Sequence, residues 1–276
     1  MLKLLMVAAL FAAVSEWALA DDASVPLSQT PVVVQRTIQR QIGDAKLDDI
    51  SKSTSDEEEV YDVGATGRDG SDRDFSVAAD GTLLSVEVTL AGTPAAAQTA
   101  IRSELEGGTL DSIDKNIADS EISYDVSGAG GDGEKRNFTV AEDGTLLSIE
   151  VAPGGTPAAV RRTIASQSAG GQVKTVDENF DQDGTNYDVE VGGGSGKSFS
   201  VAADGTLTSE RIALAKLPPV VRRAIEARIG DGTVLRVDRC FEKERGVFPF
   251  EVEGRKDGKP YDFSVGPRGR FLGMDD

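Results

Sequence analysis

The chain has 276 residues, one cysteine and no histidine, with 29 Lys or Arg against 47 Asp or Glu and a formal net charge of −18. Without histidine it lacks the usual general base, the usual zinc ligand and every Ser-His or Cys-His nucleophile pair, so only carboxylate or Ser-Lys chemistry stays open. The negative charge argues against nucleic acid and anionic membrane as partners, and the lone Cys240 excludes an intramolecular disulfide and reads as a buried small hydrophobe.

In chain order, Lys3 supplies a short positive start, Leu4 to Val14 an apolar run, and Ala18-Leu19-Ala20 a small-residue cleavage site before Asp21. This predicts a signal peptide over residues 1–20, cleaved after Ala20, because the apolar run is too short to span a bilayer. The mature protein is expected in a periplasm or outside the cell, with no membrane insertion after cleavage. Its only tryptophan, Trp17, falls within the signal.

A spacer over 21–29 leads into a self-similar pattern. "FSVAADGTL" at Phe75 recurs as "FTVAEDGTL" at Phe138, "FSVAADGTL" at Phe199 and, more loosely, "FSVGPRGRF" at Phe263. Tyr61-Asp62-Val63, Tyr124-Asp125-Val126, Tyr187-Asp188-Val189 and Phe250-Glu251-Val252 precede them at intervals of 63. Further upstream stand "TPVVVQRTI", "TPAAAQTAI", "TPAAVRRTI" and "LPPVVRRAI". Three landmarks per copy predict four tandem repeats, over 30–90, 93–152, 156–215 and 217–276.

Each copy opens on a predicted helix. Thr30, Thr93 and Thr156 are expected to cap it, with proline in the first helical position and glycine (Gly43, Gly107, Gly170, Gly230) at its end. Val34, Ile38 and Ile42 illustrate the buried stripe. Four strands follow. In copy one they carry Leu47 and Ile50, then Tyr61 and Val63, then Phe75 and Val77, and finally Leu84, Val86 and Val88 after an Asp80-Gly81 turn. Short links make the strands antiparallel. The predicted fold is α+β: four repeats, each one helix packed on its own four-stranded antiparallel sheet.

The order Leu217-Pro218, Val221, Ala224-Ile225, Phe250-Glu251-Val252, Phe263-Ser264-Val265 and Gly269 resembles the PepSY-like, or beta-lactamase-inhibitor-like, exported bacterial repeat proteins. The likeness spans about Thr30 to Leu272. It implies a non-enzymatic protein with a protein-binding or protease-modulating role, and it carries no catalytic motif. Copy three departs from the pattern at Glu210, where copies one and two have Val86 and Ile149.

Several motifs invite a site. Gly196-Lys197-Ser198 looks like the end of a phosphate loop, but the first glycine is replaced by Val191 and a strand pattern follows, so no cofactor is expected. Asn179, Asp181, Asp183 and Glu190 nearly match a calcium loop, although no flanking helix is predicted; an acidic hairpin turn is the competing reading. Asn137-Phe138-Thr139 matches a glycosylation acceptor but falls in a strand. The loops Asp69–Asp74 and Asp132–Asn137 read as solvated turns or as a repeated binding edge.

Copy four differs in charge and aromatic content. Residues 217–276 hold twelve Lys or Arg against eleven Asp or Glu, while 21–216 hold sixteen against thirty-five. Copy four also has five of the ten phenylalanines, which suits a fuller core or a partner surface. The functional expectation is a non-enzymatic exported protein that engages another exported protein or peptide. The alternative is an acidic envelope-structural or calcium-binding repeat protein.

Overall fold

The computed structural model describes residues 23–55, 58–118, 121–181, 184–192, 197–241, 246–256 and 259–274. The predicted signal peptide and Trp17 lie outside the described residues. The chain divides between Leu147 and Ser148 into two compact units. Among the described residues no helix is long and apolar enough to cross a membrane.

The N-terminal unit runs β1 (Ala23–Ser24), α1 (Val32–Ile42), β2 (Lys46–Ser55), β3 (Glu58–Thr66), β4 (Asp72–Ala78), β5 (Leu83–Glu87), α2 (Ala95–Leu105), β6 (Thr109–Ala118), β7 (Glu121–Ala129) and β8 (Lys135–Ala141). The division falls within β9 (Leu146–Glu150). The C-terminal unit continues with α3 (Ala158–Ser168), β10 (Val173–Asp181), β11 (Gly184–Val191), β12 (Lys197–Ala202), β13 (Leu207–Arg211), α4 (Pro219–Ile229) and β14 (Thr233–Cys240). It ends with β15 (Phe250–Lys256), β16 (Lys259–Pro260), β17 (Phe263–Val265) and β18 (Phe271–Met274).

The predicted arrangement of four separate sheets is overturned. β5 does not close a four-stranded sheet but pairs antiparallel with β6, aligning Ser85 with Asn116 and Glu87 with Asp114. β9 pairs with β10, and β13 with β14, in the same way. Within each unit the sheet therefore runs on through the expected boundary. The physical reason lies in the edge. A helix covers a face and leaves the edge strand's N–H and C=O groups unpaired, whereas the next strand satisfies them.

The stretch read as a spacer has the same role at the start of the chain. β1 pairs with β2, and the Val25 N–H donates to the Ile50 carbonyl at 2.8 Å. Val88 does the same to Ile113, and Val151 to Val176, each also at 2.8 Å. Ile212, after β13, donates likewise to Val237 at 2.9 Å, and a one-turn 3-10 helix follows each of these four segments, at Leu27–Gln29, Leu90–Gly92, Pro153–Gly155 and Leu214–Lys216.

These short turns also explain the threonines. Thr30, Thr93 and Thr156 do not cap the following helix, since proline occupies each N-cap position. Each is buried, and its hydroxyl donates back to Leu27, Leu90 or Pro153 at 2.9 Å, closing the 3-10 turn. Glycine caps α1 and α4, at Gly43 and Gly230. Helices α2 and α3 instead end on the left-handed residues Glu106 and Ala169, one position ahead of the expected glycine.

One face of the sheet is covered by helices. Val34 and Ile38 of α1 pack with Ile50, Tyr61, Val63, Phe75 and Val77. In the C-terminal unit Val221, Ile225 and Ile229 of α4 pack with Val237, Phe250, Val252 and Phe263. The strand after the Asp-Gly turn departs from simple alternation. A register shift opposite β5 pairs Phe75 with Val86 and Val77 with Leu83, so Leu83 and Val86 face the core in place of the expected Leu84, Val86 and Val88 series. Glu210 does not prevent its strand: β13 forms, and Glu210 makes an ion pair with Arg239 on β14.

Candidate binding faces

Strand alternation sends the residue between each Tyr-x-Val pair to the helix-free face. There the register builds polar rows across adjacent strands. Asp62 accepts from Ser53 at 3.1 Å and from Ser76 at 2.6 Å. Asp125 accepts from Asn116 at 2.6 Å and from the Thr139 hydroxyl at 2.7 Å. Asp188 accepts from Asn179 at 2.9 Å and also from Ser200.

In the N-terminal unit one row is strongly acidic. Glu87 of β5 stands directly opposite Asp114 of β6, which stands directly opposite Asp125 of β7. Asp74 lies beside them on β4, aligned with Gly64 of β3. Neighbouring strands are about 4.8 Å apart, so these carboxylates crowd one another. Burial, followed by the charges of Asp72 and Asp49, pushes the Asp74 carboxyl up. Burial, then Asp74 and Asp114, pushes up Glu87; burial, then Asp74, pushes up Asp114. Asp125 is 8% exposed, and its burial, opposed by the two hydrogen bonds, leaves its pKa raised to about 6. Among the described residues no lysine or arginine forms an ion pair with Glu87, Asp114 or Asp125.

The C-terminal unit carries related rows with a different charge balance. Glu150 faces Asp177, which faces Asp188. In the next row Arg211 takes the place of the first acid, opposite Asp238, which faces Glu251. Arg236 forms an ion pair with Asp238. Cys240 is buried on this face, aligned with Ser209. Burial, then the neighbouring Glu251, pushes the Cys240 thiol far above its usual range. A thiol held neutral in this way is inert. We expect no reaction of the native protein with a thiol-exchange reagent at pH 8 and one equivalent after denaturation. Rapid labelling of the folded protein would contradict the placement.

The calcium pattern does not assemble as a loop. Asn179 and Asp181 lie on β10, with Asn179 aligned to Asn186, while Glu190 of β11 aligns with Thr175. Four residues of extended strand, about 13 Å, separate the levels of Asn179 and Glu190. Asn186 donates to Asp181 at 2.9 Å. Asp183 lies outside the described residues. Among the described residues no group of three or more His, Cys, Asp or Glu is placed to hold a metal ion.

The other sequence candidates resolve locally. Gly196 lies outside the described residues, but Lys197 donates to the Gln167 carbonyl of α3 at 2.6 Å and stands 5.6 Å from the centre of the Phe199 ring. Asn137 is buried in β8 and accepts from Ser127 at 3.1 Å. In the charged loops Asp69 accepts from Ser71, and Asp132 from Arg136. Of the five C-terminal phenylalanines, Phe250 and Phe263 are in the core, while Phe248 and Phe271 are 48% and 40% exposed. The acidic row was not visible as a site in sequence. Glu87 and Asp125 are 38 residues apart, and only the strand register aligns them.

No protein-family model and no curated protein matches the chain. Solved structures resemble parts of it. A BLIP-like protein from Bacteroides fragilis aligns at 19% identity over 45% of this chain and 86% of its own, with a TM-score of 0.32. A DUF2874 family protein from Bacteroides ovatus aligns at 17% over 43% and 86%, with a TM-score of 0.33. A candidate calcium-regulated periplasmic protein from Bacteroides thetaiotaomicron aligns at 13% over 47% and 97%, with a TM-score of 0.29.

Proposed function

We propose that the chain is an exported, periplasmic or secreted, non-enzymatic binding protein of PepSY-like repeats, and that its helix-free face engages a cationic patch on another exported protein or peptide. The observation that carries this reading is the alignment of Glu87, Asp114 and Asp125 on adjacent strands. Like charges directly opposed across a sheet are destabilising. A partner's Lys or Arg side chains would offset that repulsion, and complementary potential steers such encounters. The signal read over residues 1–20 supports export, and the missing histidine supports a role without catalysis. No specific observation favours the envelope-structural or calcium-binding alternative.

The test uses the full mature chain and a fluorescent decalysine peptide, followed by anisotropy. Combining Asp74→Asn, Glu87→Gln and Asp114→Asn is expected to weaken binding about tenfold, equivalent to ~1.4 kcal/mol. Combining Glu104→Gln, Glu106→Gln and Glu134→Gln, which removes as many charges away from this row, should leave it within about twofold. Equal weakening by both sets would mean that net charge alone attracts the peptide, and the assignment to this face would fail.

A further inference from the structure

Near the last strand of the C-terminal unit, one arginine has no anion among the described residues. Arg228 of α4 lies with its guanidinium 3.9 Å from the centre of the Phe271 ring and 5.9 Å from that of Tyr261. Among the described residues its Nη2 reaches only the Met274 thioether, at 3.6 Å, and its Nε is buried without a hydrogen-bond partner. Among the described residues it forms no ion pair; the acid on the same helix, Glu226, is 3.7 Å from Arg222. A buried guanidinium donor without an acceptor is costly.

The arginine lines a cavity. A space of about 240 Å³ opens between α4 and the β17–β18 hairpin, walled by Ala224, Ala227, Arg228, Val265, Gly269 and Phe271. It is smaller than the ~300–1,000 Å³ of small-molecule sites, so it suits one residue of a partner. The other helices and strands of the chain differ at the two key positions. Where α4 has Arg228, α1, α2 and α3 have Gln41, Glu104 and Gln167. Where β18 begins with Phe271, β5, β9 and β13 begin with Leu83, Leu146 and Leu207. At these two positions an arginine and an aromatic ring coincide in α4 and β18 and in none of the other three helix–strand pairs.

We infer that this cavity binds the C-terminal carboxylate of a partner polypeptide ending in an apolar residue. Stacking on Phe271 fixes the plane of the guanidinium. A carboxylate accepts two parallel N–H bonds from such a fork. The apolar walls sit beside it, and a terminal residue presents its carboxylate and its side chain from the same Cα. A glutamate side chain instead places its carboxylate at the end of a stem. This site is separate from the acidic face and does not depend on its role.

The experiment titrates the full mature chain, labelled with ¹⁵N and ¹³C-methyl alanine, with acetyl-Ala-Ala-Ala-Leu. The free acid is expected to shift the Ala224 and Ala227 methyl signals and the Arg228 Nε–H. Its C-terminal amide should bind at least about tenfold more weakly. Arg228→Gln should abolish the response and Phe271→Leu should reduce it. Both residues occur at the matching positions elsewhere in the chain, so both variants are expected to fold. Equal binding of acid and amide would leave only an apolar groove. Tighter binding of an amidated peptide ending in glutamate would assign the site to side-chain carboxylates. Either result, retained binding in Arg228→Gln, or no response to the free acid overturns the inference.

Discussion

Asparagine in place of Asp125 is expected to stabilise the N-terminal unit at pH 7.5 and to reduce the dependence of its stability on pH. The carboxyl is 8% exposed and its pKa in the folded chain is raised to about 6 from an ordinary 3.8. A group raised on folding contributes stability that is complete below its unfolded pKa and is lost as pH rises through its folded pKa. The loss therefore falls between about pH 4 and 7. Each pKa unit is ~1.36 kcal/mol, which sets a ceiling of about 3 kcal/mol. Part of this is given back. Asn116 and Thr139 both donate to the carboxylate, and an asparagine accepts on only one side. The Thr139 hydroxyl can rotate to accept from the new amide, so a net gain of about 1–2 kcal/mol at pH 7.5 is expected. Urea unfolding at pH 4.5 and 7.5 reads the difference directly. A variant no more stable than the parent at pH 7.5, or one whose advantage does not change with pH, would show that folding does not penalise the Asp125 carboxylate. Asp74, Glu87 and Asp114 are shifted in the same direction, so some pH dependence should persist in the variant.

Gly144→Ala is expected to cost about 2–4 kcal/mol, from a strained backbone and a steric clash together. Gly144 has φ +85°, and an added Cβ would lie 2.7 Å from the Ala96 carbonyl oxygen and 2.9 Å from its carbon. These are backbone atoms in the first turn of α2, so relief requires the helix to move off the sheet. The other Asp-Gly turns meet their helices in the same way, Gly81 against Val33 and Gly205 against Ala159. Gly133 supplies the control. It has φ +81° but nothing within 4 Å of an added Cβ, so Gly133→Ala should show the backbone strain alone, about 1 kcal/mol. The comparison is made by urea midpoint. Equal losses at the two positions would mean that the helix does not bear on the turn.

Much of the local structure was legible before any coordinates. The helical stripe through Val34 and Ile38, the Tyr-x-Val and Phe-x-Val strands, and the Asp-Gly turns all form where the residue pattern puts them. These features depend on near neighbours: side-chain periodicity, proline at a helix start, glycine where φ is positive. The errors also have local causes. Thr30, Thr93 and Thr156 suit a cap as well as a 3-10 turn, and only the chain preceding the proline decides between them. One extra residue in β5, Leu84, moves the inward set from Leu84 and Val86 to Leu83 and Val86.

The division into four sheets failed for a longer-range reason. The similarity of the copies says what each segment contains, while strand pairing is decided by which unpaired edge comes to lie beside another. β5 joins β6, and β13 joins β14, because an open edge is more costly than a continued sheet. The acidic row follows from that join. Asp125 alone reads as one outward-facing residue in a strand. It becomes part of a charged surface because pairing aligns it with Asp114 and Glu87. Arg228 is likewise an ordinary helical cation until β18 brings Phe271 against it. Residue spacing along the chain settles helices, strands and turns through short-range sterics and burial. Which side chains share a face across strands depends on register and edge pairing, and those are set only when the sheet is built.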